Sequence, residues 1–295
     1  MRHSQLRAFH YVAHLGGFSR AAEYLLLTQP AISEQVRKLE QDHDVLLFHR
    51  ERKRVRLTTQ GTHLFRFTKQ YFETEQQIEE YLSATSAAVD GELRIIADSA
   101  HHVTFFLGQF RKRFPNISVT LRTGNTEGIL ENLRAYNAEI GIVGGLPPGS
   151  DMETLDLGST EITAFAARDF TVGSSGTLSI MELAGLPLVF REGGSKTRQK
   201  LEEEAKKQGI SLTPAIIAEG RETVREVVAS GAGIGFVSQA EFGHDNRLTQ
   251  IRLRDVDIQM TETMVHLKQR RDVKVIRAFM DFARKMQTPG NTNAS

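Results

Sequence analysis

The sequence predicts an α/β protein with a helix-rich N-terminal region, and three observations lead to this fold class. Apolar residues recur at three- and four-residue steps through most of the first 87 residues, which is the period of an α-helix. A basic run interrupts this pattern between residues 49 and 56. Beyond Gly91, short apolar strands alternate with helical segments, which is typical of a parallel α/β sheet.

The first three predicted helices are short. One is expected over residues 4–14, and the next carries Phe18, Ala22 and Leu25 on one face. Ser19 stands where an N-cap residue would accept hydrogen bonds from the first turn. The third helix, over residues 29–41, opens with Thr28 as its cap.

Two short helices joined by a tight turn form the helix-turn-helix pattern. In the second of them, Ile32, Val36 and Leu39 are expected to face a core. Short or flexible donors on the other face allow a helix to lie in the major groove and to pair with base edges. The residues expected at DNA are Ser19, Thr28, Gln29, Pro30, Ser33, Glu34, Arg37 and Lys38.

A basic segment follows a short apolar strand predicted over residues 46–48. The first 58 residues hold 10 Lys and Arg against 6 Asp and Glu, in a chain whose net charge is +1. Such runs are usually solvated loops, but this one directly follows a helix-turn-helix. It is therefore interpreted as a wing that contacts the phosphates of double-stranded DNA through Arg50, Arg52, Lys53 and Arg54.

A long helix is predicted from Thr58 or Thr59 to about residue 87. Its apolar stripe needs a partner, because a one-sided helix of this length is not stable alone in water. The stripe packs either on its own chain or on the same helix of a second subunit, and we expect the second subunit, since two-fold symmetry matches paired DNA half-sites. The stripe consists of Leu64, Phe67, Tyr71, Ile78, Tyr81 and Leu82. A hinge is expected over residues 84–91.

Two α/β lobes are predicted beyond the hinge. The first has strands at 93–97, 117–121 and 140–143 and helices at 103–114 and 127–136, and a closing helix at 272–286 returns to it. Crossover strands near residues 162 and 264 lead to and from the second. The second lobe is expected to hold strands at 162–166, 188–191, 215–218 and 235–237 and helices at 180–184, 197–208 and 223–230.

Composition excludes several classes of protein. The chain has no cysteine, and hence no disulfide framework or thiolate site. It has neither a secretory signal nor an apolar run near the ~18 residues of a membrane span, and a cytoplasmic location is expected. His10 and His14 are four residues apart without a third ligand nearby, so no metal or other cofactor is predicted.

Ligands of open α/β sheets bind where strands lead into helix N-termini, whose free amides favour anions. Four such loops follow predicted strands, at 98–102, 123–126, 191–198 and 219–223. The third loop has two glycines and two hydroxyls, and its Arg198 can bind an oxyanion bidentately. The expected ligand residues are Ser99, Ala100, His101, Asn125, Thr126, Gly194, Ser195, Thr197, Arg198, Glu219 and Arg221.

The run FSRAAEYLLLTQPAISEQVRKLEQDHDVLLFHR, with LTTQG after it, resembles the DNA-binding region of the LysR-type transcriptional regulators. The resemblance extends to about Lys285. It implies a homodimer or homotetramer that binds DNA and a small anionic effector, with RNA polymerase as a further candidate partner. The implied domains are a winged helix-turn-helix at 1–58, a linker helix and hinge at 59–90, a two-lobed effector domain resembling periplasmic binding proteins at 91–288 (lobe I 91–161 and 265–288, lobe II 162–264), and a disordered tail at 289–295.

Two later stretches, FREGGSKTR and EGRETVREVVASGAGIGFVSQAEFG, resemble the branch of this family associated with aminoethylphosphonate catabolism. That resemblance implies 2-aminoethylphosphonate or a related phosphonate as the effector, while sulfate, phosphate and carboxylates suit the same groups. A solute-binding receptor and an enzyme are the remaining alternatives. A receptor is disfavoured because the sequence shows no export signal. An enzyme is disfavoured because no Ser/His/Asp set or carboxylate pair is evident.

Overall fold

The computed structural model describes residues 1–50, 55–82, 89–145, 149–170 and 176–287. The chain divides into two compact units, Met1–Ser86 and Ala87–Ser295. The predicted tail at 289–295 and most of the predicted hinge at 84–91 lie outside the described residues. Among the described residues, none of the helices combines the length and the apolar character needed to cross a bilayer.

The first unit is a winged helix-turn-helix followed by a long helix, as predicted. Phe9, Ile32 and Leu39 are fully buried in its core. Its elements are α1 (His3–Leu15), α2 (Phe18–Leu25), α3 (Gln29–His43), β1 (Phe48–Arg50), β2 (Val55–Leu57) and α4 (Thr59–Leu82).

Two local predictions in this unit are wrong. Ser19 is not an N-cap, because α2 begins at Phe18 after Gly17 and Ser19 is the second residue of the helix. The strand predicted at 46–48 begins only at Phe48. Leu46 is 58% exposed, and the Glu40 carboxylate accepts hydrogen bonds from the Leu47 and Phe48 amides at 2.8 and 3.3 Å.

The junction between the wing and α4 is built on Thr58 and Gly61. The Thr58 hydroxyl donates to the Leu46 carbonyl at 2.6 Å and accepts from the Gly61 amide at 2.9 Å, so Thr58 caps α4. A Cβ on Gly61 would lie 2.1 Å from the Leu47 carbonyl oxygen. Only glycine therefore allows the first turn of α4 to approach the chain that leads into the wing.

The second unit contains two α/β lobes. Lobe I comprises β3 (Gly91–Ala97), α5 (His101–Arg113), β4 (Ile117–Thr123), α6 (Thr126–Arg134), β5 (Ile140–Gly144) and the closing helix α11 (Lys274–Gln287). Lobe II comprises β7 (Thr177–Leu178), α7 (Ile180–Leu183), β8 (Leu188–Arg191), α8 (Lys196–Lys207), β9 (Pro214–Ala218), α9 (Arg221–Ala229), β10 (Gly235–Ser238), α10 (Gln239–Phe242) and β11 (Leu248–Leu253). The strands β6 (Met152–Ala167) and β12 (Gln259–Leu267) run through both lobes.

The main sheet is mixed rather than wholly parallel, which corrects the prediction. Its order is β4-β3-β5-β12-β6-β11-β7, and β10 also pairs with β6. The strands β3, β4 and β5 are parallel, but β12 is antiparallel to both β5 and β6. The crossovers predicted near residues 162 and 264 are thus two long paired strands, with Met260 in the core of lobe II and Met264 in the core of lobe I.

Candidate functional site

The polar face of α3 is positioned by the packing of its opposite face. Ile32, Val36 and Leu39 are at most 2% exposed. The Thr28 hydroxyl accepts a hydrogen bond from the Ala31 amide at 3.3 Å and caps the helix, as predicted. Gln29, Pro30, Arg37 and Lys38 are exposed and Ser33 and Glu34 are half-buried, as is Ala31, while Ser19 is exposed on α2.

Arg37 is held by Glu34 across one turn of the helix. Its Nε and Nη2 donate to the two carboxylate oxygens of Glu34, each at 2.8 Å. These hydrogen bonds lower the pKa of Glu34. Lys38 lies 3.5 Å from the same carboxylate. Glu34 therefore orients the guanidinium, a role that the sequence prediction did not distinguish from base contact.

The wing is a two-stranded antiparallel hairpin. Phe48 pairs with Leu57, and the exposed His49 lies opposite the exposed Arg56. Arg56 was not among the expected phosphate contacts, although its alternation with Val55 and Leu57 places it on the outer face. Arg52, Lys53 and Arg54 lie outside the described residues, and Arg50 is described only as the last residue of β1.

A cleft of about 490 Å³ separates the two lobes at the carboxyl ends of β3, β4, β8 and β9. Five of the expected ligand residues line it: Ser99, Ala100, Asn125, Glu219 and Arg221. The sequence prediction missed further lining residues, although it singled out the loops that hold them. These are Asp98, Thr123, Gly124, Arg191, Glu192, Gly220, Glu222 and Thr223.

The other expected residues do not line this cleft. Thr126 is buried and its Oγ1 accepts from the Gly144 amide at 3.3 Å, so it joins α6 to β5. Arg198 donates to Glu202 at 2.8 Å and to the Arg191 carbonyl at 3.1 Å. Ser195 and Thr197 are buried, Gly194 is half-buried and His101 is exposed.

Arg191 is the buried cation of the cleft. At 5% exposure it donates to Asp98 of lobe I and, at 2.8 Å, to the neighbouring Glu192. Burial raises the pKa of Glu192, but Arg191 and the Gly220 amide outweigh this effect and hold the pKa below its usual value. Glu192 is therefore ionised at neutral pH, and the Asp98–Arg191 pair joins the lobes.

Asn125 makes a second contact between the lobes. Its side-chain oxygen caps α6 by accepting from the Gly128 amide at 2.9 Å. Its side-chain nitrogen donates to the Gly193 carbonyl at 3.2 Å and to Glu192 at 3.3 Å. The lobes are thus in polar contact through Asn125 as well as through the Asp98–Arg191 pair.

A third contact is a cluster of the half-buried His102 with the buried Glu241 and Glu262, which was not predicted from the sequence. His102 Nε2 lies 2.9 Å from Glu241 and 3.7 Å from Glu262. Glu241 also pairs with Arg221 and accepts from the Ser238 hydroxyl at 2.6 Å. Burial raises the pKa of Glu241, but His102 and Arg221 overcome this and lower it to about 2. Burial and the nearby Glu241 and Asp98 raise the pKa of Glu262 to about 8.

The chain matches two family models. The model described as "Bacterial regulatory helix-turn-helix protein, lysR family" matches residues 3–62, and the "LysR substrate binding domain" matches residues 86–288. Together these regions contain α1 to α3, the wing and both lobes.

Individual relatives agree with the family models. The transcriptional activator CmpR of Synechocystis is 26% identical over 94% of this chain and 93% of its own length. A RuBisCO operon transcriptional regulator of Allochromatium vinosum is 31% identical over 79% of this chain and 78% of its own. These relatives are transcriptional regulators, in agreement with the prediction that the chain is not an enzyme.

Solved structures share the fold at lower identity. A full-length OxyR variant of Pseudomonas aeruginosa superposes with a TM-score of 0.77 at 20% identity, covering 96% of this chain and 95% of its own. CbnR in complex with its target DNA gives a TM-score of 0.67 at 20% identity, covering 97% of this chain and 99% of its own. The fold predicted from the sequence is confirmed, and the chain belongs to the LysR family of DNA-binding transcriptional regulators.

Proposed function

We propose that α3 reads an operator in double-stranded DNA and that the cleft binds a small anionic effector that alters promoter binding. The observation that carries the first part is the face of α3 itself. Gln29 and Arg37 are exposed there, and two hydrogen bonds to Glu34 orient the guanidinium of Arg37. Since Nε and one N–H of Nη2 donate to Glu34, the end of the guanidinium formed by Nη1 and Nη2 is the edge that suits bidentate pairing with guanine.

The assignment of α3 is tested with an operator that the parent protein selects from random DNA. Arg37→Ala is expected to weaken binding to that operator by roughly 1–3 kcal/mol while leaving binding to unrelated DNA nearly unchanged. Arg52→Ala is expected to weaken both, and to reduce the slope of log K against log salt by about 1. Fluorescence anisotropy at several salt concentrations measures the affinity of each variant for the operator and for unrelated DNA, and gives the salt slope.

Arg252→Ala is the control, because it removes an exposed arginine from lobe II. It is expected to bind both DNAs as the parent does. Operator binding at parental affinity by both Arg37→Ala and Arg52→Ala is incompatible with the proposal.

The charges of the cleft favour an effector that carries an ammonium group as well as an anion. Its described lining includes the carboxylates of Asp98, Glu192, Glu219 and Glu222 and the guanidinium groups of Arg191 and Arg221. Both arginines already contact carboxylates. A purely anionic guest would face an excess of negative charge, whereas a zwitterion can place its ammonium beside Glu219.

Aminoethylphosphonate is the first effector to test, and only the sequence resemblance supports it. The names of CmpR and of the RuBisCO operon regulator do not favour a phosphonate over another anion. A thermal-shift comparison of 2-aminoethylphosphonate, inorganic phosphate and sulfate tests the class, because a ligand at 100 times its dissociation constant adds roughly 2.7 kcal/mol to the free energy of unfolding.

Variants of the cleft separate the binding of the effector's ammonium group from the binding of its anionic group. Glu219→Gln is expected to reduce the stabilisation by 2-aminoethylphosphonate, whereas Glu203→Gln, an exposed carboxylate on α8, leaves it unchanged. Stabilisation by phosphate or sulfate but not by 2-aminoethylphosphonate would contradict the zwitterion and leave the anion site intact.

We further propose that the chain acts as a homodimer or homotetramer joined through α4. The support is the exposure of Phe67, Tyr71 and Ile78, which are 69%, 46% and 55% exposed in the single chain. An apolar stripe of this kind is buried by a second subunit in coiled-coil-like pairs.

A further inference from the structure

The cluster of His102, Glu241 and Glu262 has the chemistry of a cation site, and the proposed function does not use it. One ligating atom from each residue lies within 4.8 Å of the others. The three residues come from α5 in lobe I, α10 in lobe II and the shared strand β12. Their separation along the chain explains why the sequence predicted no metal site.

Glu262 is the unsatisfied member of the cluster. It is 4% exposed, and its Oε2 has no hydrogen-bond partner among the residues that the structure describes. In the described part of the chain, no Arg or Lys nitrogen lies within 4.0 Å of it, and the imidazole of His102 is its nearest basic group. A buried carboxyl group with an unpartnered oxygen is costly, because that oxygen has lost its hydrogen bonds to water. A cation that replaces the carboxyl proton and binds this oxygen removes that cost.

We propose that one divalent cation of the zinc type binds between His102 Nε2 and the carboxylates of Glu241 and Glu262. One imidazole nitrogen with two carboxylate oxygens is a donor set for Zn²⁺ or Co²⁺, whereas Ca²⁺ and Mg²⁺ prefer oxygen ligands alone. Three protein ligands leave at least one position for water. The ion connects the two lobes directly, because its ligands belong to both.

Arg221 is the competitor of the ion. Its guanidinium pairs with the Glu241 oxygen that also faces His102. A cation that binds this oxygen must therefore tolerate or displace the arginine. Removal of the guanidinium charge consequently strengthens ion binding, a result that a purely structural role of the cluster does not produce.

The test is a calorimetric titration of tag-free, chelator-treated full-length protein with Zn²⁺, repeated with Co²⁺ by absorption spectroscopy. The parent is expected to bind one equivalent, and the Co²⁺ complex to give visible d–d bands. Glu262→Gln and His102→Gln should each weaken binding at least about ten-fold, the scale found even for residues that only support metal ligands. Arg221→Gln should tighten it.

Glu153→Gln is the matched control, because Glu153 lies 3.8 Å from the buried His266 and pairs with Arg284. Within the described ranges Glu153 belongs to no three-ligand cluster. This variant should bind the ion as the parent does. Circular dichroism of the ion-free variants checks folding, and His102→Gln decides the outcome if Glu262→Gln does not fold. Binding of less than half an equivalent by the parent overturns the proposal. The proposal is also overturned if the His102→Gln and Glu262→Gln variants bind the ion with parental affinity and give an unchanged Co²⁺ spectrum.

Discussion

His10 lies on the side of α1 that packs on α4 and is only 7% exposed. Its Nδ1 is 3.1 Å from the Thr68 hydroxyl, which itself donates to the Phe65 carbonyl, so Nδ1 is assigned as the donor. The ring packs 4.7 Å from Phe72. Burial, with smaller contributions from His14 and Lys69, lowers the pKa of His10 to about 4.

This pKa makes the stability of the first unit depend on pH. Below pH 6.5 the unfolded chain binds a proton on residue 10 that the folded chain does not accept until about pH 4. The free energy of unfolding is therefore expected to fall by roughly 2 kcal/mol between pH 7 and pH 5 through this residue alone. Calorimetry of the parent and of His10→Gln at the two pH values measures the difference.

His244→Gln controls for the loss of an exposed histidine, and should keep the parental pH dependence. Equal pH dependence in His10→Gln and the parent would show that the ring is accessible to protons in the folded state.

The arginines of the cleft illustrate what the sequence could predict about single residues. The loop at 191–198 was correctly chosen as a strand end, but Arg198 was preferred to Arg191 as the binding cation. Arg191 is the last residue of β8 and would ordinarily be counted as part of a buried strand. Its partner Asp98 lies 93 positions away, and no local pattern indicates such a pair.

At the scale of elements, the beginning of α4 depends on Gly61. Gly61→Ala would place a Cβ against the Leu47 carbonyl. Because the clashing atom belongs to the backbone, a change of side-chain rotamer cannot relieve the clash. We expect a loss of roughly 1–3 kcal/mol in the free energy of unfolding of the first unit, with weaker DNA binding because the wing is displaced. Thermal unfolding and DNA titration provide the two measurements.

Gly108→Ala is the comparison for the same substitution. Gly108 lies within α5, and a Cβ there has no neighbour within 4 Å in the part of the chain that the structure describes. Alanine should stabilise that helix by roughly 0.5–1 kcal/mol. Similar effects of the two substitutions would mean that the close approach at Leu47 relaxes without cost.

The predicted helices were largely correct because their apolar period and caps are local properties of the sequence. Thr28, Asn125 and Thr58 each precede a helix whose first turn their side chains satisfy. The strands β7 and β11 and the first half of β6 were missed. In β6 half-buried and exposed residues alternate from Glu153 to Gly158, so this part of the strand is not a continuous apolar run and its pairing with β12 is not evident locally.

At the scale of the whole molecule, the exposed stripe of α4 leads to a prediction about assembly. Phe67, Tyr71 and Ile78 line an apolar groove of about 730 Å³. Ile78→Glu is expected to place a charge in the proposed subunit contact and to shift the chain toward monomer, since a buried unpaired carboxylate is strongly disfavoured. Sedimentation velocity over a range of protein concentrations measures the shift.

Gln76→Glu is the matched control, because it adds the same charge to α4 on another face of the helix. It should assemble as the parent does. If Ile78→Glu retained the parental mass at low micromolar concentration, α4 would not hold the subunits together.

The two lobes share β6 and β12, so the connection between them is a hydrogen-bonded ribbon instead of a pair of loose loops. Its register shifts between Glu262 and Thr263, opposite Gly158, whose φ is +111°. Reorientation of the lobes has to be absorbed as torsion of this ribbon, and a β-bulge is where torsion is most easily accommodated. We therefore expect an occupant of the cleft to act on the molecule as a small change of twist, centred on the bulge beside Glu262.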